Sequence, residues 1–347
     1  MRDDSLVHAN DRLLKRKDSA SGSAGRNIAW RWAGLAISLA IVIYAFVILF
    51  RLLRDIDVAK IVASLEATSP RTVFVAALFV AAGYVTLTFY DFFALRTIGR
   101  RDIPYRIAAL TGFTSYTIGH NLGATVFTGG AVRYRIYSAW GLSLVEVAKI
   151  AFVTGLTFWL GNAFLLGIGV AYAPEAASAI NQLPPWTNRV IALGGLAAIA
   201  GYLIWLLPCP RIIGRDNWQV VLPSTRLTII QIGIGVLDLG FSALAMYTLL
   251  PAAPSMDFIT LMVTFVAATL LGFISHAPGS IGVLDAAMLI SLPEFEKEEL
   301  LASLLIFRAL YFVLPFLLAI LIMGIRELWL ASATKLSHSH CANNNQR

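Results

Sequence analysis

The stretch Leu227–Leu250 reads LTIIQIGIGVLDLGFSALAMYTLL and contains a single charged residue, Asp238. A helix needs ~20 predominantly apolar residues to cross a hydrocarbon core ~30 Å thick, so this stretch predicts a membrane span. Five further stretches have the same character, namely Trp32–Phe50, Thr72–Leu95, Glu146–Tyr172, Val190–Leu207 and Leu301–Ile325. The sequence therefore predicts an all-α, polytopic membrane helix bundle with about six full crossings.

The composition supports this fold class. Of the 347 residues, 58% are hydrophobic and 14% are charged, whereas a soluble domain has roughly 25% charged residues. The net charge of +7 comes from Lys and Arg that lie mainly between the apolar stretches. That distribution is typical of cytoplasmic loops facing anionic lipid, and it argues against nucleic acid as a partner.

The same charges predict the domain organisation. Residues 1–31 form a basic cytoplasmic tail, residues 32–325 a transmembrane domain, and residues 326–347 a second polar cytoplasmic tail. No cleavable signal peptide is expected, because the first apolar stretch is long enough to span and its polar leader is too long.

An interrupted apolar region, Ile107–Gly141, predicts a re-entrant hairpin. The preceding loop, Arg96–Arg106, carries four arginines and should be cytoplasmic, whereas Ala173–Arg189 carries one basic residue and should be external. Glu146–Tyr172 supplies the single crossing between them, so Ile107–Gly141 must return to the cytoplasmic side.

A second interrupted region, Ile259–Leu292, repeats the pattern from the opposite face. Pro208–Arg226 has three arginines and should be cytoplasmic, while Pro293–Leu300 is acidic and should be external. Two opposed hairpins are a mark of inverted-repeat transporters, whose sites lie between the repeats. Ordinary kinked helices are the alternative.

Glycine-rich breaks define the predicted tips of both hairpins. We expect these residues to have structural roles in close packing and in satisfying the broken backbone. They are Gly119, His120, Asn121, Gly123, Gly129 and Gly130 in the first hairpin and Pro278, Gly279 and Gly282 in the second. His120 could titrate near neutral pH, although a hydrogen-bonded structural histidine is the alternative.

Asp238 is the sharpest functional signal, because a carboxylate at mid-span costs ~2.5–3.5 kcal/mol even on the mild insertion scales. A polar cavity would explain it. A structural pair with Arg308, or a protonated carboxyl bonded to a neighbour, is the alternative. Asp285 lies just after the second break, and Arg308 and Tyr311 share one face of the last span with Pro315.

Arg133, Arg135 and Tyr137 form a dense cluster after the first break. Guanidinium groups match phosphate oxygens in bidentate geometry, so the cluster predicts a lipid-phosphate site; a positive-inside anchor is the alternative. Three further charges are secondary candidates: Asp91, and Glu146 and Lys149, which are spaced to pair with each other.

Several motifs of enzymes are absent from the sequence. It has no nucleotide-binding P-loop, no zinc-binding His-Glu-x-x-His and no Gly-x-Ser-x-Gly elbow. The sequence therefore predicts no cofactor, no metal and no catalytic residue.

At these motifs the chain resembles the transmembrane region of lysylphosphatidylglycerol synthases, also called multiple peptide resistance factors. The resemblance covers roughly residues 30 to 325, and the stretch from Gly119 to Ser143 is its most specific part. The matching pieces are Tyr90-Asp91, Ala94-Leu95-Arg96, Gly119-His120-Asn121-Leu122-Gly123, Gly129 to Arg135, Tyr137 to Ser143, Pro278-Gly279, Gly282-Val283, Asp285, Arg308, Tyr311 and Pro315. Asp285 departs from the family, which commonly has Glu there.

The resemblance implies a flippase-like phospholipid translocase of the bacterial inner membrane. It also implies a link between this activity and antimicrobial peptide resistance. Its substrate would be aminoacylated phosphatidylglycerol or another phospholipid, with Arg133 and Arg135 holding phosphate and Asp238 and Asp285 receiving a cationic headgroup. The synthase portion of the two-part members is absent from this chain, so lysyltransferase activity is not expected. A lysyltransferase-related protein and a non-transporting membrane partner of a separate lipid synthase are the alternatives, and a homo-oligomer is also compatible with the sequence.

Overall fold

A computed structural model describes residues 57–207, 211–215 and 218–344, together with Val47, Phe50, Arg51 and Arg54. Within these residues the chain is almost entirely helical, which confirms the predicted all-α membrane bundle. The predicted span Trp32–Phe50 and the tail 1–31 lie largely or wholly outside the described residues.

Twelve helices, a π-helical segment and one small β-hairpin make up the described part of the chain. In order they are α1 (Val58–Ala67), α2 (Pro70–Thr97), α3 (Tyr105–Leu122), α4 (Thr125–Tyr137), α5 (Leu144–Tyr172), α6 (Pro174–Asn181), α7 (Pro185–Trp205), β1 (Ile212–Arg215), β2 (Trp218–Val221), α8 (Thr225–Leu249), α9 (Phe258–Ser275), α10 (Val283–Ser291), α11 (Lys297–Arg308), the π segment (Ala309–Val313) and α12 (Leu314–Asn344). Short 3₁₀ turns cover Ser138–Trp140 and Pro278–Ser280.

Six of the described helices are long and apolar enough to cross a membrane. Five of them, α2, α5, α7, α8 and the continuous run Lys297–Trp329, match predicted spans. The sixth is α9, which the sequence assigned to the second hairpin. The last helix continues to Asn344, past the end of the predicted span at Ile325, and the boundary between the transmembrane domain and the C-terminal tail stays a prediction.

The loop between α7 and α8 is not purely irregular. β1 and β2 pair antiparallel, with Ile212 opposite Val221 and Arg215 opposite Trp218. This two-stranded hairpin is the one β element in the described residues, and it does not change the fold class.

Helices α2 and α8 run antiparallel through the centre of the bundle. A Cβ on Gly83 would lie 3.5 Å from the Asp238 carbonyl oxygen, and the rings of Phe79 and Phe241 are 6.5 Å apart. The C-terminal end of α2 and that of α8 therefore lie at opposite ends of the bundle. We call them the Arg100 end and the Asp257 end, after the residues that follow each helix.

The first hairpin, α3–α4, starts and finishes at the Arg100 end. Arg100 precedes the hairpin, yet its guanidinium donates to the Trp140 carbonyl and to Glu146 Oε1, both at 2.9 Å and both beyond the hairpin. Between these points α3 climbs along α2, with Tyr116 packed edge-on against Tyr84. The hairpin thus enters the bundle and returns to its own side.

The second hairpin, α9–α10, starts and finishes at the Asp257 end. Tyr247 of α8 donates to the carbonyl of Met256 before the hairpin, and Ser303, after it, donates to the carbonyl of Leu249 at 2.7 Å. The two hairpins therefore enter from opposite ends of the bundle. The order span, hairpin, span occurs twice with opposite orientation, as an inverted repeat requires.

The tips of the two hairpins touch. A Cβ on Gly123 would lie only 2.8 Å from the His276 carbonyl oxygen and 3.4 Å from Pro278 N, and Gly123 has φ +75°. A side chain there would meet both the neighbouring backbone and an unfavourable left-handed conformation. Glycine is needed at this position because the two breaks abut.

Candidate functional site

A cavity of ≈1270 Å³ lies between the first hairpin and α5, and the second hairpin's tip forms part of its wall. Its walls are mostly apolar. The polar side chains lining it are Tyr90, Tyr116, His120, Thr125, Arg133, Tyr134, Thr154, His276 and Ser280, and no carboxylate is among the lining residues. The volume exceeds the ≈300–1,000 Å³ of ordinary small-molecule pockets.

The cavity reaches the outer surface of the bundle between α4 and α5. The lining residues Val126 and Phe127 on α4 are 73% and 79% exposed, and Leu144 and Trp159 on α5 are also exposed. Large apolar side chains on the outside of a membrane bundle face lipid, so lipid chains can contact the rim of this cavity. A polar group could enter sideways while its chains stay in the bilayer.

Within the part of the chain that the structure describes, Arg133 is the one Lys or Arg in the cavity lining. It is 9% exposed, and Asp91 opposite it is fully buried. Arg133 Nε donates to both carboxylate oxygens of Asp91, at 3.1 and 3.2 Å, and Nη2 donates to Oδ1 at 2.9 Å. Because the fork is used through Nε and Nη2, Nη1 makes none of the hydrogen bonds found among the described residues.

Tyr137 completes this cluster from one helical turn further along α4. It is fully buried, and its hydroxyl donates to Asp91 Oδ2 at 2.9 Å. Tyr137 is therefore a support for the carboxylate and does not line the cavity. Asp91, predicted as a secondary charge, is the centre of the site's ion pair.

Arg135 departs from the prediction that it acts beside Arg133. Residues two apart on a helix point to different faces, and Arg135 turns outward to pair with Glu327 of α12 at 2.6 Å. It is exposed and is not among the cavity-lining residues. The structure does not bring the two arginines together on one phosphate position.

Asp285 and Arg308 pair with each other, away from the cavity. Arg308 donates from Nε and Nη2 to the two Asp285 oxygens at 2.9 and 2.6 Å, and to the carbonyls of Gly279 and Ser280. Asp285 also accepts from Gly282 N at 3.0 Å, at the start of α10. These bonds fix the second hairpin's tip to α11, so the predicted contact of Asp285 with a cationic headgroup is not supported by its position.

Tyr311 lies in the π segment and also has a structural setting. Pro315 has no N–H, so the Tyr311 carbonyl lacks its ordinary helical partner; the Tyr84 hydroxyl donates to it at 2.8 Å instead. The Tyr311 hydroxyl lies 3.3 Å from that of Tyr116. These contacts show that the helix face shared by Arg308, Tyr311 and Pro315 points inward, as predicted.

Asp238 is 1% exposed and does not line the large cavity. Its Oδ2 accepts from the Tyr90 hydroxyl at 3.2 Å, while Oδ1 has no partner among the described residues. The predicted alternative of a pair with Arg308 is wrong, because Arg308 binds Asp285. Contact between Asp238 and a headgroup in the cavity would have to pass through Tyr90.

Glu146 and Lys149 do not pair with each other. Glu146 closes a capping box with Ser143 at the start of α5 and accepts from Arg100 at 2.9 Å. Arg100 also pairs with Asp102 at 3.0 Å, and its guanidinium holds the pKa of the Asp102 carboxyl below its usual value. Arg100 therefore joins the loops around the first hairpin, a role that sequence reasoning missed.

The remaining break residues have packing roles. Gly119 and Gly129 let α3 and α4 approach, since a Cβ on Gly129 would lie 2.8 Å from the Ser115 carbonyl oxygen, whereas Gly130 has open space. Asn121 donates to the Thr117 carbonyl at 2.9 Å and to the Phe312 carbonyl at 3.3 Å. Gly129 thus serves the hairpin's own packing, whereas Gly130 lines the cavity.

His120 sits among aromatic rings, 3.8 Å from the Tyr116 ring and 4.3 Å from that of Phe273, and it lines the cavity. No hydrogen-bonded structural role for it is found among the described contacts. Sequence reasoning also missed Tyr84 and Tyr116, and it named Tyr90 only as part of the resemblance, without a role. The i, i+4 spacing of Tyr116 and His120 was the available signal.

Fold and site together define a multi-pass membrane protein with two opposed hairpins and a laterally open cavity between the first hairpin and α5. No family model matches the chain. It is 29% identical over 246 residues to the uncharacterized protein slr0712 of Synechocystis sp. (strain ATCC 27184 / PCC 6803 / Kazusa), covering 71% of this chain and 76% of that protein. It is also 29% identical over 251 residues to the inner membrane protein YbhN of Escherichia coli (strain K12), covering 70% and 76%.

Proposed function

We propose that this chain is a flippase-like phospholipid translocase of a bacterial inner membrane, which moves a phosphate-bearing lipid headgroup through the cavity beside Arg133. The observation that carries the proposal is a large cavity whose rim is apolar and exposed and whose wall holds a buried arginine. The similarity to an inner membrane protein supports the location. The resemblance to the transmembrane region of lysylphosphatidylglycerol synthases supports the activity, and no catalytic step is part of it.

The charge of the cavity lining favours recognition of the lipid phosphate over recognition of a cationic group in the headgroup. Among the described residues Arg133 is in the lining, whereas Asp91, Asp238 and Asp285 are not. Aminoacylated phosphatidylglycerol, phosphatidylglycerol and phosphatidylethanolamine all carry the phosphate, so all three are substrates to test.

Lipid movement in reconstituted vesicles tests the proposal. Fluorescent analogues of the three lipids are placed in both leaflets, and a membrane-impermeant quencher reports which molecules reach the outer leaflet. We expect wild-type protein to speed exposure, and Arg133→Ala to slow it at least tenfold. Arg135→Ala is the matched control, because it removes an arginine from the same helix outside the cavity, and it should keep wild-type rates.

Equal exposure with and without protein, for all three lipids, would overturn the proposal. A role as a non-transporting partner of a lipid synthase would then be the better reading. The exposed apolar residues Ile212, Ile213 and Val221 of the β-hairpin are the surface with which that alternative would be tested.

A further inference from the structure

Among the described residues, three buried carboxylates lie in the core, and two of them have an arginine. Asp91 binds Arg133 and Asp285 binds Arg308. Asp238 differs, because none of the ion pairs among the described residues includes it and its Oδ1 has no hydrogen-bond partner there. A buried carboxylate without a cation is strongly disfavoured in its charged form.

The groups around Asp238 are neutral hydroxyls. Helix α2 contributes Tyr84 and Tyr90, α3 contributes Tyr116, and the π segment contributes Tyr311. Ser242, one turn along α8, donates to the Asp238 carbonyl at 3.0 Å. None of these side chains can neutralise a carboxylate as a cation would.

The other helices packed on α8 do not supply a cation either. Helix α9 has no charged residue in its sequence, and the charged residues of α5, Glu146 and Lys149, lie at the Arg100 end. Arg189, at the start of α7, is exposed and donates to the Ala171 carbonyl. Arg308 is held by Asp285 and by two backbone carbonyls. Within the described core, a proton is therefore the simplest species that leaves Asp238 neutral.

Tyr90 connects this carboxyl to the cavity. Its hydroxyl binds Asp238 at 3.2 Å, and the same residue lines the cavity of ≈1270 Å³. A void of ≈10 Å³, about the size for one water molecule, is lined by Ser242, His120, Ser280 and Tyr311, and His120 and Ser280 also line the large cavity. Polar groups thus continue from Asp238 towards the second hairpin's tip.

We propose that Asp238 is a proton-binding site that exchanges its proton with the cavity through the Tyr90 hydroxyl. Tyr90 passes its hydroxyl proton to the carboxylate and receives one from a hydronium ion in the cavity, so one O–H bond breaks as each new one forms; release is the reverse. Proton exchange at Asp238 then couples headgroup movement to a pH gradient. This coupling rests on the proposed lipid translocation.

Infrared difference spectroscopy of the purified full-length protein tests proton binding without any lipid assay. A protonated carboxyl has a C=O band separate from the carboxylate bands. We expect the wild type to show one such band at neutral pH, to lose it at high pH, and to shift it in deuterated water. Asp238→Asn should abolish the band, and the control Asp285→Asn should keep it. Tyr90→Phe should keep the band and slow its appearance after a pH jump.

Absence of the band from wild type at neutral pH, or its persistence in Asp238→Asn, would overturn the proton site. The vesicle assay under an imposed pH gradient separates this result from the function. We expect the pH gradient to change the wild-type rate of lipid exposure at least fivefold and to leave the rate of Asp238→Asn unchanged. A band without any lipid movement would refute the translocase and leave the proton site standing, whereas gradient-independent lipid movement by the wild type would refute the coupling.

Discussion

Replacing Asp91 by leucine should destabilise the protein strongly, because it leaves the Arg133 guanidinium buried without its partner. Asp91 accepts three hydrogen bonds from Arg133 and one from Tyr137, and it has no exposed surface. Removing one partner of a buried pair costs about 3–5 kcal/mol. Arg133 borders the cavity, so hydration there places the expected loss near the lower end.

The double variant Asp91→Leu/Arg133→Met should recover most of that loss. Replacing a whole buried pair by apolar side chains is often neutral, since the desolvation cost of both charges disappears. Wild type, Asp91→Leu, Arg133→Met and the double variant form a double-mutant cycle, measured by thermal unfolding in detergent. At roughly 1.4 °C per kcal/mol for a chain of 347 residues, Asp91→Leu should lower Tm by about 4 °C, and the double variant should lie within about 1 °C of wild type.

The cycle also separates stability from function. The double variant should be folded and still fail to move lipid, since it has lost the one Lys or Arg found in the cavity lining among the described residues. Two results would refute the reasoning: a double variant as unstable as Asp91→Leu, which would mean that the pair is not coupled, or a stable double variant with wild-type lipid exposure.

Two further predictions concern helix packing. Gly235→Ala should cost about 1–3 kcal/mol by overpacking, because its Cβ would lie 2.8 Å from Gly161 Cα, whereas Gly233→Ala, with open space, should be neutral or slightly stabilising in the same unfolding assay. Tyr84→Phe should cost about 1–3 kcal/mol by leaving the Tyr311 carbonyl unsatisfied. In a double variant, Pro315→Ala should reduce that cost, because it restores a helical N–H for the Tyr311 carbonyl. Additive effects of Tyr84→Phe and Pro315→Ala on stability would contradict this account.

The sequence predicted the architecture well because membrane spans and loop charges are local signals. Runs such as Leu227–Leu250 fix the helices, and the arginines of Arg96–Arg106 against the acidic Pro293–Leu300 were enough to place two opposed hairpins. The predicted hairpins agree with the contacts of Arg100 and of Ser303. Which end of the bundle faces the cytoplasm stays a prediction of those charges.

Pairings within the site could not be predicted in the same way. Arg133 and Arg135 are two residues apart in sequence but face different helices, so one binds Asp91 and the other Glu327. Asp238 and Arg308 looked complementary because both lie in spans, yet Arg308 has a nearer partner in Asp285. Which arginine pairs with which carboxylate depends on the rotation of each helix about its axis and on its depth in the membrane. A single sequence does not encode these locally.

The two buried ion pairs limit how the molecule can move. Each joins one arm of a hairpin to a span of its own half, Arg133 to α2 in the first half and Asp285 to α11 in the second. Contact between the tips, by contrast, is packing of Gly123 against the His276 carbonyl and of the His120 ring against Phe273, with no ion pair among the described residues there. Separating the tips leaves both pairs intact and costs less than breaking either one. We therefore expect access across the bundle to open at the tips, with each hairpin staying fixed to its span.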